Sequence, residues 1–242
     1  MKIFQKAVKE SNCLVFMDLE ATSASHELIE IGAYRVIVSD EGIPLKVAAP
    51  FKRYVKAKSP IGYVVTRLTG ITEEKLKQEG IPFPKAMEEF RQYVGSYWKA
   101  ARFLTFGPHD IVILSSSSER NKDEHASDIV SHIIHSHLDF QGFLSQYVQD
   151  RNGNPYSLHN YLKIFDIDFL GQEHDALADA YNLYRLYFES QRRKDILTSQ
   201  YELTLSHFKR LPPPLKEAFK KLYEGEDLTL EKWKKAVEDT FK

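Results

Sequence analysis

The chain has 242 residues, of which 43% are hydrophobic and 28% are charged, and its formal net charge is −1. This length allows one sizeable core, or one domain with an extension, and the composition is that of an ordinary globular protein. The near-zero net charge excludes a globally basic nucleic-acid or membrane binder, although it leaves a local basic patch open.

The cysteine content and the hydropathy pattern bear on the compartment. The single cysteine, Cys13, excludes an intramolecular disulfide, and its place in an apolar run indicates an inert core thiol, as in a reducing cytoplasm. The sequence contains no run of about 18 apolar residues, so no transmembrane helix is predicted. The first residues are polar and lack the apolar core of a signal peptide. We therefore expect a cytoplasmic protein without a membrane partner.

The first part of the chain has the β-branched and apolar content of strands. Strands are predicted at residues 13–18, 29–38 and 50–56, and short polar segments join them. This succession predicts an antiparallel meander.

Helices and one more strand are predicted in the middle of the chain. Thr72 is expected to cap a helix with an acidic first turn, and another helix is expected to begin near Pro84. Residues 102–106 are predicted as a strand, with a helix following from about Asp110. The serine-rich region 115–128 is predicted as a weak helix end followed by a loop.

The last part of the chain is predicted to be helical. Ser157 is a predicted helix cap, the strongest helical pattern covers 174–193, and residues 195–242 have helical patterns broken by a proline run. The order of these elements predicts an α/β domain with a helical C-terminal extension. We place the two parts at residues 1–190 and 191–242.

Two acids follow the first apolar run directly. On a strand, residues i and i+2 point to the same face, so Asp18 and Glu20 are expected to project into one space. Two carboxylates this close raise the cost of ionising each other, and a cation such as Mg²⁺ would offset that cost. Taken alone, so short a pattern is more typical of solvated acids in a loop.

Three further residues extend this pair of acids to a candidate metal site. Asp110 follows another predicted strand, Asp179 lies on the last long helix, and His174 lies five residues before Asp179. Four acids are a donor set for two divalent ions, which can hold the attacking and leaving oxygens of a phosphodiester in line. A histidine can take the proton of the attacking water at neutral pH.

These segments resemble the three motifs of the DEDDh exonucleases (RNase T/DnaQ-like), which are named for four acids and a histidine. The likeness is carried by MDLEATS with ELIEIGAY, by FGPHD and by HDALADA, and by the Leu-Thr-Gly-Ile-Thr segment. It covers about Cys13 to Glu189 and is closest to the 3′ histone-mRNA exonuclease branch and to bacterial KapD-like predicted exonucleases. The resemblance implies a ribonuclease H-like mixed sheet flanked by helices.

The resemblance also implies a role for each motif residue. Asp18 would bridge two metal ions, and Glu20 and Asp179 would complete the ion on the side of the nucleophile. Asp110 would hold the second ion, and His174 would be the general base. The residues expected to contact the terminal nucleotide are Ala21, Thr22, Leu68 and Thr69.

The implied activity is that of a Mg²⁺- or Mn²⁺-dependent 3′–5′ exonuclease that acts on the 3′ ends of RNA or single-stranded nucleic acid. A proofreading-type DNA exonuclease is one alternative, and a regulatory binding module on the same fold is another. The chain retains all four acids and the histidine, which favours activity. The C-terminal helices offer a place for a protein partner, and the sequence leaves the oligomeric state open.

Three other groups of polar residues have structural interpretations. Four histidines without partner cysteines are predicted to form a solvated helix face rather than a zinc site: His125, His132, His135 and His137. Glu30 is predicted to make a structural hydrogen bond. For the basic group at 52–58, which contains Lys52, Arg53, Lys56 and Lys58, phosphate contact and a solvated strand face both remain open.

Overall fold

The computed structural model describes residues 8, 10–206 and 211–240. Within these ranges, six strands form one sheet. In chain order they are β1 (Cys13–Ala21), β2 (Leu28–Val38), β3 (Pro44–Val47), β4 (Phe51–Tyr54), β5 (Arg102–Thr105) and β6 (His137–Asp139).

The same ranges contain α-helices that follow the first strands and flank the sheet, and then helices that form the C-terminal part. In chain order they are α1 (Tyr63–Thr69), α2 (Glu73–Glu79), α3 (Phe83–Val94), α4 (His109–Asn121), α5 (Glu124–His135), α6 (Phe140–Leu144), α7 (Leu158–Ile164), α8 (Ala176–Arg192), α9 (Lys194–Ser206), α10 (Pro213–Tyr223) and α11 (Leu230–Asp239). None of these helices is long and apolar enough to cross a lipid bilayer.

The sheet has the strand order β3-β2-β1-β5-β6, and β4 pairs with β2 beside β3. β1 and β2 are antiparallel, whereas β5 is parallel to both β1 and β6, so the sheet is mixed. β2 pairs with β4 through its first half and with β3 through its second half. The predicted meander is therefore present as β1, β2 and β4, and β3 is an additional strand with exposed residues that the pattern does not reveal.

β1 is the central strand, and its first residues are buried on both faces. Cys13, Val15 and Met17 pack with residues of α3, α4 and α5, whereas Leu14 and Phe16 pack with residues of α6, α7 and α8. Helices on both faces explain why the apolar run of β1 is continuous and does not alternate with polar residues. The α/β architecture agrees with the sequence-based prediction.

The predicted loop within residues 115–128 is wrong. α4 continues to Asn121, and α5 begins three residues later with Asp123 as its cap. Two serines of α4 have hydrogen-bond partners: Ser115 donates to the carbonyl of Ile111, one turn earlier, and Ser117 accepts from the backbone N–H of Leu28 on β2. The break comes at Lys122, which has the left-handed φ of 55° that ends the helix.

The C-terminal part is helical in its described residues, as predicted. α8 begins two residues after the expected start, because Asp175 is its cap, and α10 begins with a proline in its first turn. The division into residues 1–190 and 191–242 stays a prediction. Residues 1–7, 9, 207–210 and 241–242 of these two parts lie outside the described residues.

The start of α8 lies directly on β2. An added Cβ atom at Gly32 would lie 2.3 Å from the carbonyl carbon of Ala176 and from the amide nitrogen of Leu177. Only glycine permits this approach, because it has no Cβ atom. Gly32 is also the register partner of Asp18, so the close contact brings α8 to the strand end that carries the acids.

Replacing Gly32 by alanine should displace α8 and lower the free energy of unfolding by about 3 kcal/mol, the upper range for overpacking. The matched control is Gly42→Ala, where an added Cβ atom meets nothing within 4 Å and only the φ of 79° is unfavourable. That control should cost about 1 kcal/mol. Urea unfolding measures both values, and equal stability of the two variants would contradict the close approach.

Candidate active site

Asp18 and Glu20 lie at the end of β1 and point to the same face of the sheet. Their register partners on β2 are Gly32 and Glu30. The pairing shifts after Glu20, and there the chain leaves the sheet. The alternation of the strand therefore puts both carboxylates at one sheet edge.

Asp110 lies at the same edge of the sheet, in the segment that follows the neighbouring strand β5. It lies in the first turn of α4, is only 5% exposed, and accepts a hydrogen bond from the backbone N–H of Leu19. The turn before it is held by Asp139, whose Oδ1 accepts from the N–H of Gly107 at 3.1 Å and from that of Gly142 at 2.9 Å. Asp139 thus stabilises the turn that positions Asp110.

His174 and Asp179 come from the beginning of α8. The backbone N–H of His174 donates to Oδ2 of Asp179 at 3.0 Å, and His174 has a φ of 63°, which is uncommon for a residue other than glycine. Asp175 caps the helix by accepting from the N–H groups of Leu177 and Ala178. The chain therefore turns sharply before α8, and the turn leaves His174 exposed.

All four acids and His174 line one cleft of about 400 Å³. One ligand atom each of Glu20, His174 and Asp179 lies within 4.8 Å of the other two. The same cleft is also lined by aromatic and apolar residues that the acidic motifs did not identify as site residues: Phe106, His109, Leu158, His159 and Phe169. The cleft thus contains both a group of carboxylates and apolar side chains against which an aromatic ring can pack.

Burial and neighbouring acids raise the pKa of all four carboxyl groups. Burial is the largest cause, and the pKa rises to about 8 for Glu20, to about 7 for Asp110 and to about 6 for Asp179. The pKa of Asp18 lies well above its usual range because of desolvation and of repulsion from the other three acids. A divalent cation would displace the protons that such a cluster retains near neutral pH.

This donor set fits hard divalent cations. Mg²⁺ and Mn²⁺ prefer oxygen ligands, and the cleft offers four carboxylates from three separate elements. Since the same carboxylates are costly to ionise without a cation, their close grouping is explained better by metal binding than by fold stability.

The residues predicted to contact the terminal nucleotide are not among those that line the cleft: Ala21, Thr22, Leu68 and Thr69. Thr22 is buried, and its hydroxyl accepts from the N–H of Glu27 within the loop after β1. Leu68 is exposed on α1, where the hydroxyl of Thr69 donates to a carbonyl of the same helix. Their contact with a nucleotide stays a prediction.

The histidines of α5 are occupied with other partners. His125 contacts Glu88 at 2.9 Å, and the ring of His132 contacts the carbonyl oxygen of Trp98 at 2.9 Å. In the described ranges, the group of side chains with metal-ligand spacing is the one formed by Glu20, His174 and Asp179. On α5, His125 and His135 are exposed, whereas His132 is half-buried and its ring packs on that of Trp98. His137 lies on β6 and not on this helix, and it pairs with the hydroxyl of Thr105.

An ion-pair network behind the acids was not anticipated from the sequence. Nζ of Lys52 lies 2.7 Å from Oε1 of Glu30 and 2.5 Å from Oδ2 of Asp175. Glu30 also accepts a hydrogen bond from the N–H of Ala176, which confirms its structural role. Lys52 is therefore neither a freely solvated residue nor a lysine available to a phosphate, and its partners follow from the register of β2 and β4 and from the packing of α8 on β2.

A family model described as an exonuclease, RNase T, matches residues 15–187. The chain belongs to this exonuclease family. Family membership confirms the prediction from the motifs that residues 15–187 form an exonuclease domain of the RNase T type. Among curated protein sequences, no match was found.

Solved nucleases share the fold at low identity. The nuclease domain of 3′hExo, a DEDDh family member bound to rAMP, is 18% identical with a TM-score of 0.57, over 75% of this chain and 92% of that domain. A full-length 3′-exonuclease is 17% identical with a TM-score of 0.60, over 76% of this chain and 62% of the other. The chain therefore spans less than two thirds of that protein.

A larger enzyme has the same fold. Exonuclease I of E. coli, in complex with an oligonucleotide, is 17% identical with a TM-score of 0.59, over 81% of this chain and 44% of that protein. At these identities the likeness concerns the fold alone, and it confirms the predicted ribonuclease H-like mixed sheet flanked by helices.

The raised pKa values predict how stability depends on pH without metal. A carboxyl group whose pKa is higher in the folded than in the unfolded state binds more protons when folded, so stability falls as pH rises between the two values. For Glu20 this range extends from its ordinary 4.5 to about 8. In EDTA, Glu20→Gln should therefore lose less stability than the wild type across this range.

Thermal unfolding in EDTA measures this difference. At the upper end of the range the variant should melt higher than the wild type, by about 2–4 °C for each kcal/mol of burial cost and repulsion removed. Glu124→Gln, which changes an exposed acid of α5, is the matched control and should follow the wild type. Identical pH dependence of Glu20→Gln and the wild type would contradict the raised pKa of Glu20.

Proposed function

We propose that the protein is a divalent-metal-dependent 3′–5′ exonuclease that releases nucleoside monophosphates from the 3′ ends of RNA or of single-stranded nucleic acid. The observation that carries this proposal is the convergence of four acids and a histidine on one cleft. The family match supports the reaction class.

The four carboxylates would hold the divalent ions, for which Mg²⁺ and Mn²⁺ are the suitable candidates. Glu20 and Asp179 lie beside His174 and would hold the ion on the side of the attacking water. Asp18 would contribute to both ion positions, and Asp110 would hold the other ion. When bound, two such ions lower the pKa of water and neutralise negative charge on the phosphodiester and its leaving oxygen.

His174 would be the general base. Its backbone N–H is held by Asp179, while the residue itself is exposed at the cleft. An imidazole can accept the proton of a water that attacks the last phosphodiester.

Single-stranded 3′ ends are the proposed substrate class, with RNA preferred. A protein of this fold has been seen in 3′-end-specific recognition of a histone mRNA stem-loop, with 17% identity and a TM-score of 0.60. The aromatic side chains that line the cleft would accept a nucleobase, since bases stack on such side chains. We retain Ala21, Thr22, Leu68 and Thr69 as contacts of the terminal nucleotide.

A proofreading-type DNA exonuclease is the alternative substrate assignment. Exonuclease I has the same fold and was solved in complex with a deoxythymidine oligonucleotide, so DNA is compatible with this architecture. The choice between RNA and DNA depends on contacts with the 2′-hydroxyl. A purely regulatory binding module is less well supported, because such a role does not require five catalytic-type side chains in one cleft.

We also propose that residues 191–242 extend an exonuclease domain formed by residues 1–190 and offer a surface to a protein partner. The family match ends at residue 187, before the helices of the extension. α10 and α11 pack on each other, with the rings of Phe219 and Trp233 5.7 Å apart. Deleting this part should spare hydrolysis of a dinucleotide, which needs contacts in the cleft alone.

The proposed activity is tested by digestion of 5′-labelled RNA and DNA oligonucleotides of one sequence. With Mg²⁺ or Mn²⁺ we expect a ladder that shortens from the 3′ end, and with EDTA no digestion. The ratio of the two rates gives the sugar preference. Intact substrate under every metal condition would exclude the proposed activity, and shortening from the 5′ end would exclude the proposed direction.

Two substitutions test the assigned roles in the same assay. Asp179→Asn should abolish digestion because it removes a metal-binding charge, and His174→Ala should slow the chemical step by about 10²–10⁴-fold. The matched controls are Asp128→Asn and His135→Ala, which change exposed residues of α5. Single-turnover rates measure the effect, and a wild-type rate for His174→Ala would assign the base to another group.

A further inference from the structure

Lys52 lies on β4 and reaches across β2 to the start of α8. Its register partner on β2 is Gly32, the glycine on which α8 rests. Its ammonium group joins Glu30 of β2 at 2.7 Å and Asp175 of the α8 cap at 2.5 Å. Lys52 therefore links two elements that meet behind the carboxylates.

Both acids bound by Lys52 also bind the first free amides of α8. Oε2 of Glu30 accepts from the N–H of Ala176 at 3.1 Å. Oδ1 of Asp175 accepts from the N–H groups of Leu177 and Ala178 at 3.0 and 3.1 Å. Each acid thus uses one oxygen for the helix and the other for Lys52, so the ammonium group completes the cap.

The capped turn carries two of the site residues. His174 directly precedes Asp175, and Asp179 follows one helical turn later, where its N–H donates to the carbonyl of Asp175 at 2.9 Å. The N–H of His174 in turn donates to the carboxylate of Asp179. A shift of Asp175 would therefore move the proposed base and a proposed metal ligand together.

Lys52 also balances charge behind the cluster. Glu30 has a side chain only 2% exposed, and its charge contributes to the raised pKa values of Asp18 and Glu20. Lys52 is not among the residues that line the cleft. It can therefore neutralise Glu30 without competing with a cation for the acids of the site.

We propose that Lys52 is a positioning residue of the exonuclease, which sets the place of His174 and Asp179 through Glu30 and Asp175 and does not contact the substrate. The kinetic part of this inference rests on the proposed function. The structural part, the anchoring of the α8 start, does not depend on it.

Three single variants separate this role from its alternatives. Lys52→Met removes the charge and keeps an apolar stem, and Lys52→Arg restores a cation. The matched control is Arg53→Met, since Arg53 is the next residue of β4 and its ion pair with Glu89 lies on the opposite face of the strand. All three are compared with the wild type at saturating and at limiting Mn²⁺.

We expect Lys52→Met to lower kcat on an RNA oligonucleotide by about 10–100-fold, as is usual when a group that orients a metal ligand is lost. KM should stay within about threefold, and the Mn²⁺ concentration for half-maximal rate should rise. Lys52→Arg should regain most of kcat, and Arg53→Met should match the wild type. A raised KM with unchanged kcat and a weaker salt dependence would instead identify Lys52 as a phosphate contact and overturn the proposal.

Hydrogen exchange provides a readout that needs no activity. In Lys52→Met the amides of residues 176–178 should exchange faster than in the wild type and in Arg53→Met, because their acceptors have lost an anchor. Unchanged exchange would reject the positioning role. If the wild type digests no nucleic acid with any metal, the proposed function fails, while faster exchange still supports the anchoring role.

A double variant covers the case in which Lys52→Met does not fold because a buried carboxylate is left unpaired. Lys52→Met with Glu30→Gln removes both charges and keeps an oxygen acceptor for the N–H of Ala176. This protein should fold, show faster exchange at 177–178, and retain the reduced kcat. Wild-type exchange and wild-type kcat in the double variant would overturn the proposal.

Discussion

Repulsion among four carboxylates at one sheet edge is the constraint on which the rest of the site depends. Each acid raises the cost of ionising the others, so the folded chain must hold them together against their charge. It does so with secondary structure. Asp18 and Glu20 are fixed by a central strand, and Asp110 and Asp179 each lie in the first turn of a helix. Rigid elements can maintain an arrangement that is unfavourable without a cation.

The beginnings of the two helices lessen this cost. The peptide dipoles at a helix N-terminus favour negative charge, and both α4 and α8 present an acid of the cleft there. Several contacts fix the position of the first residues of α8. Gly32 permits the close approach of this helix to β2, and Glu30 and Asp175 bind its free amides. Fold stability and site geometry thus depend on the same few contacts.

Local geometry predicted the residue pairs that are close in sequence, and the family resemblance predicted that Asp110 joins them. The contacts of residues outside the motifs, which depend on the tertiary fold, were not predicted. The period of a strand relates Asp18 to Glu20, and the five-residue spacing relates His174 to Asp179, so local geometry suffices for both pairs. The ion pair of Lys52 with Glu30 and Asp175 depends on strand register and on a helix from another part of the chain. The extent of α4 was missed because serine competes with helix formation in isolation, whereas here a serine of that helix binds the backbone of β2.

The groups that would do chemistry and the groups that would select a substrate are organised differently. The acids sit on buried strands and helix starts, whereas the loop after β1 is held by small polar contacts, such as Thr22 with Glu27. Glu27 also accepts from the N–H groups of Lys58 and Ser59, which ties this loop to the chain before α1. α1 itself buries none of its residues and exposes Tyr63 and Leu68. Because packing constrains the acids and leaves this neighbouring surface free to vary, the motifs of the sequence identify a reaction class and not a substrate.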